Sequence, residues 1–302
     1  IPFMQYRRYA YVFSILVMLA GVASLIAHGG FRLGIDFTGG RLIEYRFSQP
    51  VSADQLRDAT QRAGFPGAEV QEVGTGGLDF MLRLPSQAES GLQATPSGRI
   101  IDELQSRQPA LTAELRREEV VGPKVGRELR GQATLAVIFA LIGILIYIGV
   151  RYDFAYAVGG VVALAHNVLV TLLMFSIFNK EVTLTTVAAL LTVGGYSIND
   201  TVVIFDRIRE QTRLMQKSNL ADVINSSVNQ TLSRTIITSA GVFYAIAALF
   251  FLGGEVIHDF AFGMFVGVAF GTYASIYVAS ALALEMGLRR ERIKREKAAA
   301  AA

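Results

Sequence analysis

An apolar run opens near Val182 and continues to Phe205, long enough for one helix to cross a bilayer. Inside it sits Asp200, about six residues before the charged pair Asp206 and Arg207. At ~1.5 Å of rise per residue, that carboxylate lies roughly 9 Å in from the interface. A charge at such depth costs several kcal/mol or more unless a partner or water meets it. Asp200 must therefore be neutral, paired or turned to a wet cavity.

The rest of the chain has the same character. Further apolar runs cover residues 9–27, 132–150, 154–178, 235–252 and 259–284, which with 182–205 makes six spans. Stretches of this length do not belong to an ordinary globular core, so the chain reads as an integral membrane protein in a lipid bilayer. The first span lacks a small-residue cleavage site and reads as an anchor rather than a removable signal. Tyr6, Tyr9 and Tyr11 stand where an aromatic belt is expected. The net charge is only +3, and the basic residues cluster beside the spans. That pattern speaks for topology, not for nucleic acid. There is no cysteine, hence no disulfide framework and no thiolate metal site. A start at Ile1 fits a fragment or one half of a longer polypeptide, and the closing run of alanines is set aside.

Between the first two spans the pattern changes. Residues 30–130 carry charges and alternation, and they form one domain of typical size. Ile43, Tyr45 and Phe47 alternate with Glu44 and Arg46, as in a half-buried strand. Ser52 and Gln55 suit a capping box that opens a helix to Ala63, ended by Gly64 and Pro66. Strands follow at 68–73 and 78–84, separated by a turn at 74–77. A Gly/Ser/Pro-rich loop leads to a helix at about 99–106 and a last strand at 111–121. The order β-α-β-β-α-β is the ferredoxin-like α+β pattern. The chain thus divides into 1–29 (N-terminus and first span), 30–130 (the ferredoxin-like domain), 131–285 (spans two to six) and 286–302 (a basic tail). A tight turn joins spans two and three at Arg151, Tyr152 and Asp153. Residues 207–230 read as a polar connector, for which a helix lying along the surface is one form.

Six spans put both termini on one side. That side holds Arg7, Arg8, Arg151, Arg207, Arg209, Arg213, Lys217 and the basic tail, whereas the short loops opposite hold only Lys180. The positive-inside rule then makes both termini cytoplasmic and the domain at 30–130 extracytoplasmic.

Few residues in the spans carry chemistry. Asp200 leads them, either as part of a proton pathway or as a helix-end carboxylate reaching interfacial water. Tyr196 and Ser197 lie one turn before it on the same face, and Asn199 adjoins it. Gly194 and Gly195 permit close approach of a neighbouring helix. Arg234 enters the fifth span from the side that Asp200 approaches. It either pairs with Asp200, keeping that carboxylate charged, or snorkels to the interface. His166 and Asn167 lie near the middle of the third span, where a His serves a proton relay or a structural hydrogen bond. Gly263, Gly267 and Gly271 repeat at GxxxG spacing and form a packing face, read as intramolecular or pseudo-symmetric. Residues 34–41 have the Gly spacing of a phosphate loop but lack its Lys-Ser/Thr, so their glycines are read as turn formers. No nucleophile–base set or Cys/His ligand set is present, so neither an enzyme nor a metal site is expected.

Five motifs in order, at 34–40 (GIDFTGG), 121–129 (VGPKVGREL), 195–210 (GYSINDTVVIFDRIRE), 231–239 (TLSRTIITS) and 276–284 (IYVASALAL), resemble the SecF side of the SecD/SecF family. That family belongs to the proton-driven resistance-nodulation-division superfamily. The resemblance covers nearly the whole chain and implies a role in protein export. SecF works with SecD, or with the SecD half of a fused chain, beside the SecYEG translocon in the bacterial plasma (inner) membrane. The proton motive force then promotes movement of preprotein substrates, and the partner set extends to YajC and YidC. The resemblance also implies protons as coupling ion with no cofactor, Asp200 as the pathway carboxylate and Arg234 as the functional arginine of the fifth span. The family often carries Asp after the third-span His, where this chain has Asn167, so His166 stands as a secondary candidate. The alternatives are half of a small-molecule efflux transporter, or a non-conducting scaffold for SecD.

Overall fold

In a computed structural model, residues 1–74, 76–85, 95–152 and 154–300 are described. Most of the Gly/Ser/Pro-rich loop, Thr75 of the 74–77 turn, Asp153 of the 151–153 turn and residues 301–302 lie outside the described residues. The chain divides into two compact units, residues 33–133 and residues 1–32 with 134–302.

The smaller unit runs α2 (Ile35–Thr38), β1 (Gly40–Phe47), α3 (Ala53–Arg62), β2 (Glu69–Val73), β3 (Asp79–Leu84), α4 (Pro96–Arg107) and β4 (Ala113–Val121). The strands form one antiparallel sheet in the order β2-β3-β1-β4. One face of it is apolar because alternate residues point the same way. Ile43, Tyr45 and Phe47 of β1 and Phe80, Leu82 and Leu84 of β3 pack on Leu56 of α3 and Ile100 of α4. Both helices start where their caps dictate. Ser52 and Gln55 complete a capping box at α3, and Thr95 accepts from the Gly98 amide ahead of Pro96 at α4. The sheet absorbs one extra residue where Glu44 faces Arg117 but Tyr45 faces Leu115. Tyr45 is wholly buried and its hydroxyl donates to the Ser97 carbonyl at 2.8 Å. Burial first, then the nearby Glu118 carboxylate, push its phenol well above the usual tyrosine value, with Arg41 opposing.

The glycines of residues 34–41 do more than turn the chain. Gly39 has φ +73°, and a Cβ there would stand 2.8 Å from Pro123 Cα. Gly126 closes on the same point, where a Cβ would lie 2.9 Å from the Gly39 nitrogen. The short helix α2, which alternation does not reveal, fills the space between those glycines.

The larger unit contains α1 (Arg7–Ala27), α6 (Phe154–Ile177), α7 (Leu184–Leu214), α8 (Leu220–Leu252), α9 (Glu255–Tyr273), a π-helical turn (Ala274–Ala279) and α10 (Ser280–Ala300). Helix α5 (Pro123–Arg151) carries the chain from the smaller unit's residues into the larger. Six helical stretches among the described residues are long and apolar enough to cross a membrane, the last taking α9, the π turn and part of α10 together. Two differences from expectation stand out. The surface connector at 207–230 is instead the ends of two helices. Helix α7 runs on to Leu214 and α8 begins at Leu220. Ile208, Ile224 and Val228 are core residues alongside Phe205 and Leu284, so this region is packed, not peripheral. The sixth span is also not one regular helix, because π geometry interrupts it.

Helices α6, α7 and α9 form the packed centre. Gly263, Gly267 and Gly271 of α9 face Ala189, Val193 and Ser197 of α7, four residues apart on each helix. A Cβ on Gly267 would stand 2.3 Å from Val193 Cγ2. At the other end of these helices, Lys180 donates to Asp259 at 2.8 Å and to His258 Nδ1 at 3.1 Å. There Val182 donates to the Arg32 carbonyl at 2.8 Å.

Two outcomes test this packing. Gly267→Ala lowers the melting temperature in detergent, at a cost of about 1–3 kcal/mol for the overpacked contact. Adding Val193→Ala recovers part of the loss, whereas Gly195→Ala, with nothing within 4 Å of its Cβ, is close to neutral. In the smaller unit, Tyr45→Phe costs about 1 kcal/mol at neutral pH through its lost hydrogen bond. The raised phenol in the folded state means that this unit's stability holds below about pH 10 and falls as pH rises above it. Amide exchange of β1 and β3 in the full chain reads both effects, and Tyr45→Phe blunts the alkaline loss.

Candidate functional site

Helix α7 is capped by Thr183 and Thr186, whose hydroxyls and amides bond reciprocally. From there its buried side follows helical spacing through Thr186, Ala189, Leu190, Val193, Gly194, Ser197, Asp200, Thr201 and Ile204. Asp200 falls on that side because it is seven residues after Val193 and three after Ser197. It is 3% exposed.

Its neighbours are hydroxyls. Ser239 Oγ of α8 donates to Asp200 Oδ2 at 3.4 Å. The same Ser239 oxygen accepts from Tyr196 OH at 3.3 Å and lies 2.9 Å from Thr272 Oγ1 of α9. Thr272 also reaches back to the Val268 carbonyl at 3.1 Å. Three helices thus meet at one serine oxygen. One turn away, Thr201 Oγ1 and Ser275 Oγ lie 2.8 Å apart, and each is within donor range of the Ser197 carbonyl, at 3.2 and 3.3 Å. Ser275 belongs to the π turn, where Ser280 donates to its carbonyl at 3.1 Å. These contacts exist because glycine lets α9 lie against α7. A Cβ on Gly271 would meet Asn167 Nδ2 at 2.9 Å and Ser197 Cβ at 3.3 Å.

The remaining sequence candidates fall into distinct places. Arg234 is exposed on α8, and no ion pair joins it to Asp200 among the described residues. Asn167 is wholly buried and donates to the Gly267 carbonyl at 3.1 Å, which ties α6 to the glycine face of α9. His166, on the next face of α6, is also buried, and its ring centroid is 6.2 Å from that of Tyr273. Neither of its ring nitrogens has a hydrogen-bond partner among the described residues. Gly194 lies 3.5 Å from Leu164 of α6 by its Cβ position, a close helix contact. Gly195 differs from the expectation of close approach. It is exposed, as is Asn199 one turn on, so within this chain both face away from the bundle.

Ser239, Thr272 and Thr201 are the residues that sequence reasoning passes over, whereas Ser275 continues the glycine spacing of the sixth span. Ser239 closes the 231–239 motif, and Thr272 follows a packing glycine. Hydroxyls in spans are common helix bridges, and spacing along one helix says nothing about which neighbour each will meet.

Residues 101–289 match the family model described as "Protein export membrane protein SecD/SecF, C-terminal", and residues 24–51 match the "SecD/SecF GG Motif". A relative from Vibrio alginolyticus, named "Protein translocase subunit SecF", is 45% identical over 97% of this chain and 92% of its own length. One of the same name from Escherichia coli O157:H7 is 40% identical over 98% of this chain and 90% of its own. Among solved structures, SecDF from Thermus thermophilus, described as a translocon-associated membrane protein, superposes with a TM-score of 0.83 at 38% identity. That match takes in 94% of this chain but only 38% of the SecDF chain. SecDF in a "Super-membrane-facing form" gives 0.71 at the same identity. Near-complete coverage at such identity, with the GG motif taking in Gly39 where it meets Pro123, leaves one conclusion: the chain belongs to the SecD/SecF family, on its SecF side.

Proposed function

We propose that this chain acts with a SecD partner to couple the proton motive force to protein export. The observation that carries this reading is Asp200, a carboxylate buried in a membrane-spanning helix with hydroxyls from two neighbouring helices around it. A group so placed gains or loses a proton at the expense of its neighbours' arrangement, which is what a coupling residue requires. One proton moving inward supplies ~2.3 kcal/mol per 100 mV of potential. The spare work goes into repacking α7, α8 and α9.

The partners follow from what this chain leaves uncovered. Thr192, Gly195 and Asn199 form a small, polar, exposed face on α7. Helix α5 keeps Ile138, Phe139, Ile142, Ile146 and Tyr147 exposed. A SecD half, whether separate or fused, is the partner these faces await, in keeping with the SecDF likeness. The wider assembly we infer is the SecYEG translocon with its preprotein, joined by YajC and YidC.

The smaller unit's helix order and its β2-β3-β1-β4 antiparallel sheet support the ferredoxin-like assignment for residues 30–130. We place that unit on the extracytoplasmic side and both termini in the cytoplasm, in a bacterial plasma membrane, on the positive-inside asymmetry. Arg234 is assigned to the pathway in a state other than the one described here, where it stands exposed and unpaired with Asp200. No group is assigned a catalytic role, and protons are the coupling ion.

Export into vesicles, with the SecD half present and a proton gradient imposed, tests the reading. Asp200→Asn removes the gradient-dependent part of export while the complex still assembles. Asp206→Asn, at an exposed carboxylate that pairs with Arg151 at 3.4 Å, leaves it within about twofold of wild type. Unchanged gradient dependence in Asp200→Asn identifies the chain as a scaffold.

A further inference from the structure

The Ser239 cluster has a constraint of its own, and it rests on the reading above that Asp200 takes up a proton. Each hydroxyl has one hydrogen to donate and two sites to accept. Ser239 is within reach of Asp200, Tyr196 and Thr272, and Thr272 is within reach of Ser239 and the Val268 carbonyl. The Ser239–Thr272 contact is the shortest of the set at 2.9 Å, and as long as it carries a hydrogen the state of Asp200 sets the direction of the others.

When Asp200 is ionised it can only accept. Ser239 then donates to Oδ2, and its two acceptor sites take Tyr196 and Thr272. Thr272 has spent its hydrogen on Ser239 and leaves the Val268 carbonyl. When Asp200 is protonated on Oδ2, the oxygen that faces Ser239, its own O–H donates to Ser239. Tyr196 and Asp200 now fill both acceptor sites, so Ser239 donates to Thr272. Thr272, holding Ser239's hydrogen as acceptor, donates to Val268. The proton stays on the Asp200 carboxyl, and no covalent bond other than that O–H changes.

We propose that Ser239 and Thr272 are positioning residues that pass the protonation state of Asp200 to α9 as a reversal of hydrogen-bond direction, switching the Thr272–Val268 back-bond on and off. A threonine bonded to the carbonyl four residues earlier bends its helix. Val268 is buried and adjoins Gly267, whose carbonyl holds Asn167 and whose open face takes Val193. The switch therefore acts on the turn of α9 that packs on α7, just ahead of the π turn at Ala274–Ala279. Of the other charged or titratable groups on the packed elements, Arg234 of α8 makes no ion pair with Asp200 but acts on it through its charge, and His166 of α6 turns to Tyr273. Tyr196 of α7 donates in both states.

Infrared difference spectra of the full chain in lipid nanodiscs, between high and low pH, test this directly. The protonated carboxyl band lost in Asp200→Asn belongs to Asp200. Ser239→Ala moves that band to higher wavenumber, because the carboxyl has lost its acceptor. Thr272→Val also moves it, although Thr272 does not touch Asp200, and a purely structural threonine would leave it in place. Ser239→Thr and Thr272→Ser, which keep the hydroxyls and guard against misfolding, hold the wild-type position. An Asp200 band that stays put in both Ser239→Ala and Thr272→Val overturns the relay alone. Absence of any band assignable to Asp200 overturns the relay together with the proton-coupling reading beneath it.

Discussion

A carboxylate cannot sit inside a membrane-spanning helix without polar company, and the larger unit is arranged so that Asp200 has it. Ser239 comes from α8 and Thr272 from α9, so the burial of one side chain depends on three helices keeping their places. Close approach of α9 to α7 is possible only because glycine stands at 263, 267 and 271. The smallest residues in the sixth span and the one deeply buried acid of the fourth are two parts of the same solution.

The groups that hydrogen-bond around Asp200 are neutral, with the Arg234 charge acting on it only without contact, and this matters for coupling. A permanent Arg–Asp pair in a low-dielectric interior holds its carboxylate ionised and resists protonation. Hydroxyls accept either state, because each can turn its single hydrogen toward or away from the acid. The reorganisation costs rotations rather than the separation of charges. It is transmitted as a bond made or broken at a helix carbonyl. A π turn immediately after Thr272 offers the bend a place to be absorbed, since a wider turn has already given up regular i→i−4 bonding.

Much of the fold was legible in the chain because its signals are local. Long apolar runs specify spans, alternation in β1 and β3 specifies a one-faced sheet, and Ser52 with Gln55 specifies a helix start. The GxxxG spacing named a packing face, though only the structure shows α7 as its partner. The polar stretch 207–230 misled because charge and buried faces coexist there. Arg209 and Arg213 are exposed and Arg207 bonds Gln230 of α8, while Ile208, Ile224 and Val228 join the core. The π turn carries no marker of composition, since Ala274, Ser275 and Ile276 suit a regular helix equally well. At the site, Asp200 announced itself by being charged in an apolar run. Ser239 and Thr272 did not, because a hydroxyl acquires meaning only from what stands opposite it.

On this mechanism, protonation of Asp200 changes how α7 and α9 pack. The chain has no cysteine, so spin labels at introduced Thr192→Cys and Ala269→Cys, both exposed positions, report that packing alone. The expected label-to-label distance distribution shifts between high and low pH in the otherwise native chain. In Asp200→Asn it is fixed at the low-pH distribution at every pH. A distribution indifferent to pH, or one whose pH response survives Asp200→Asn, contradicts it.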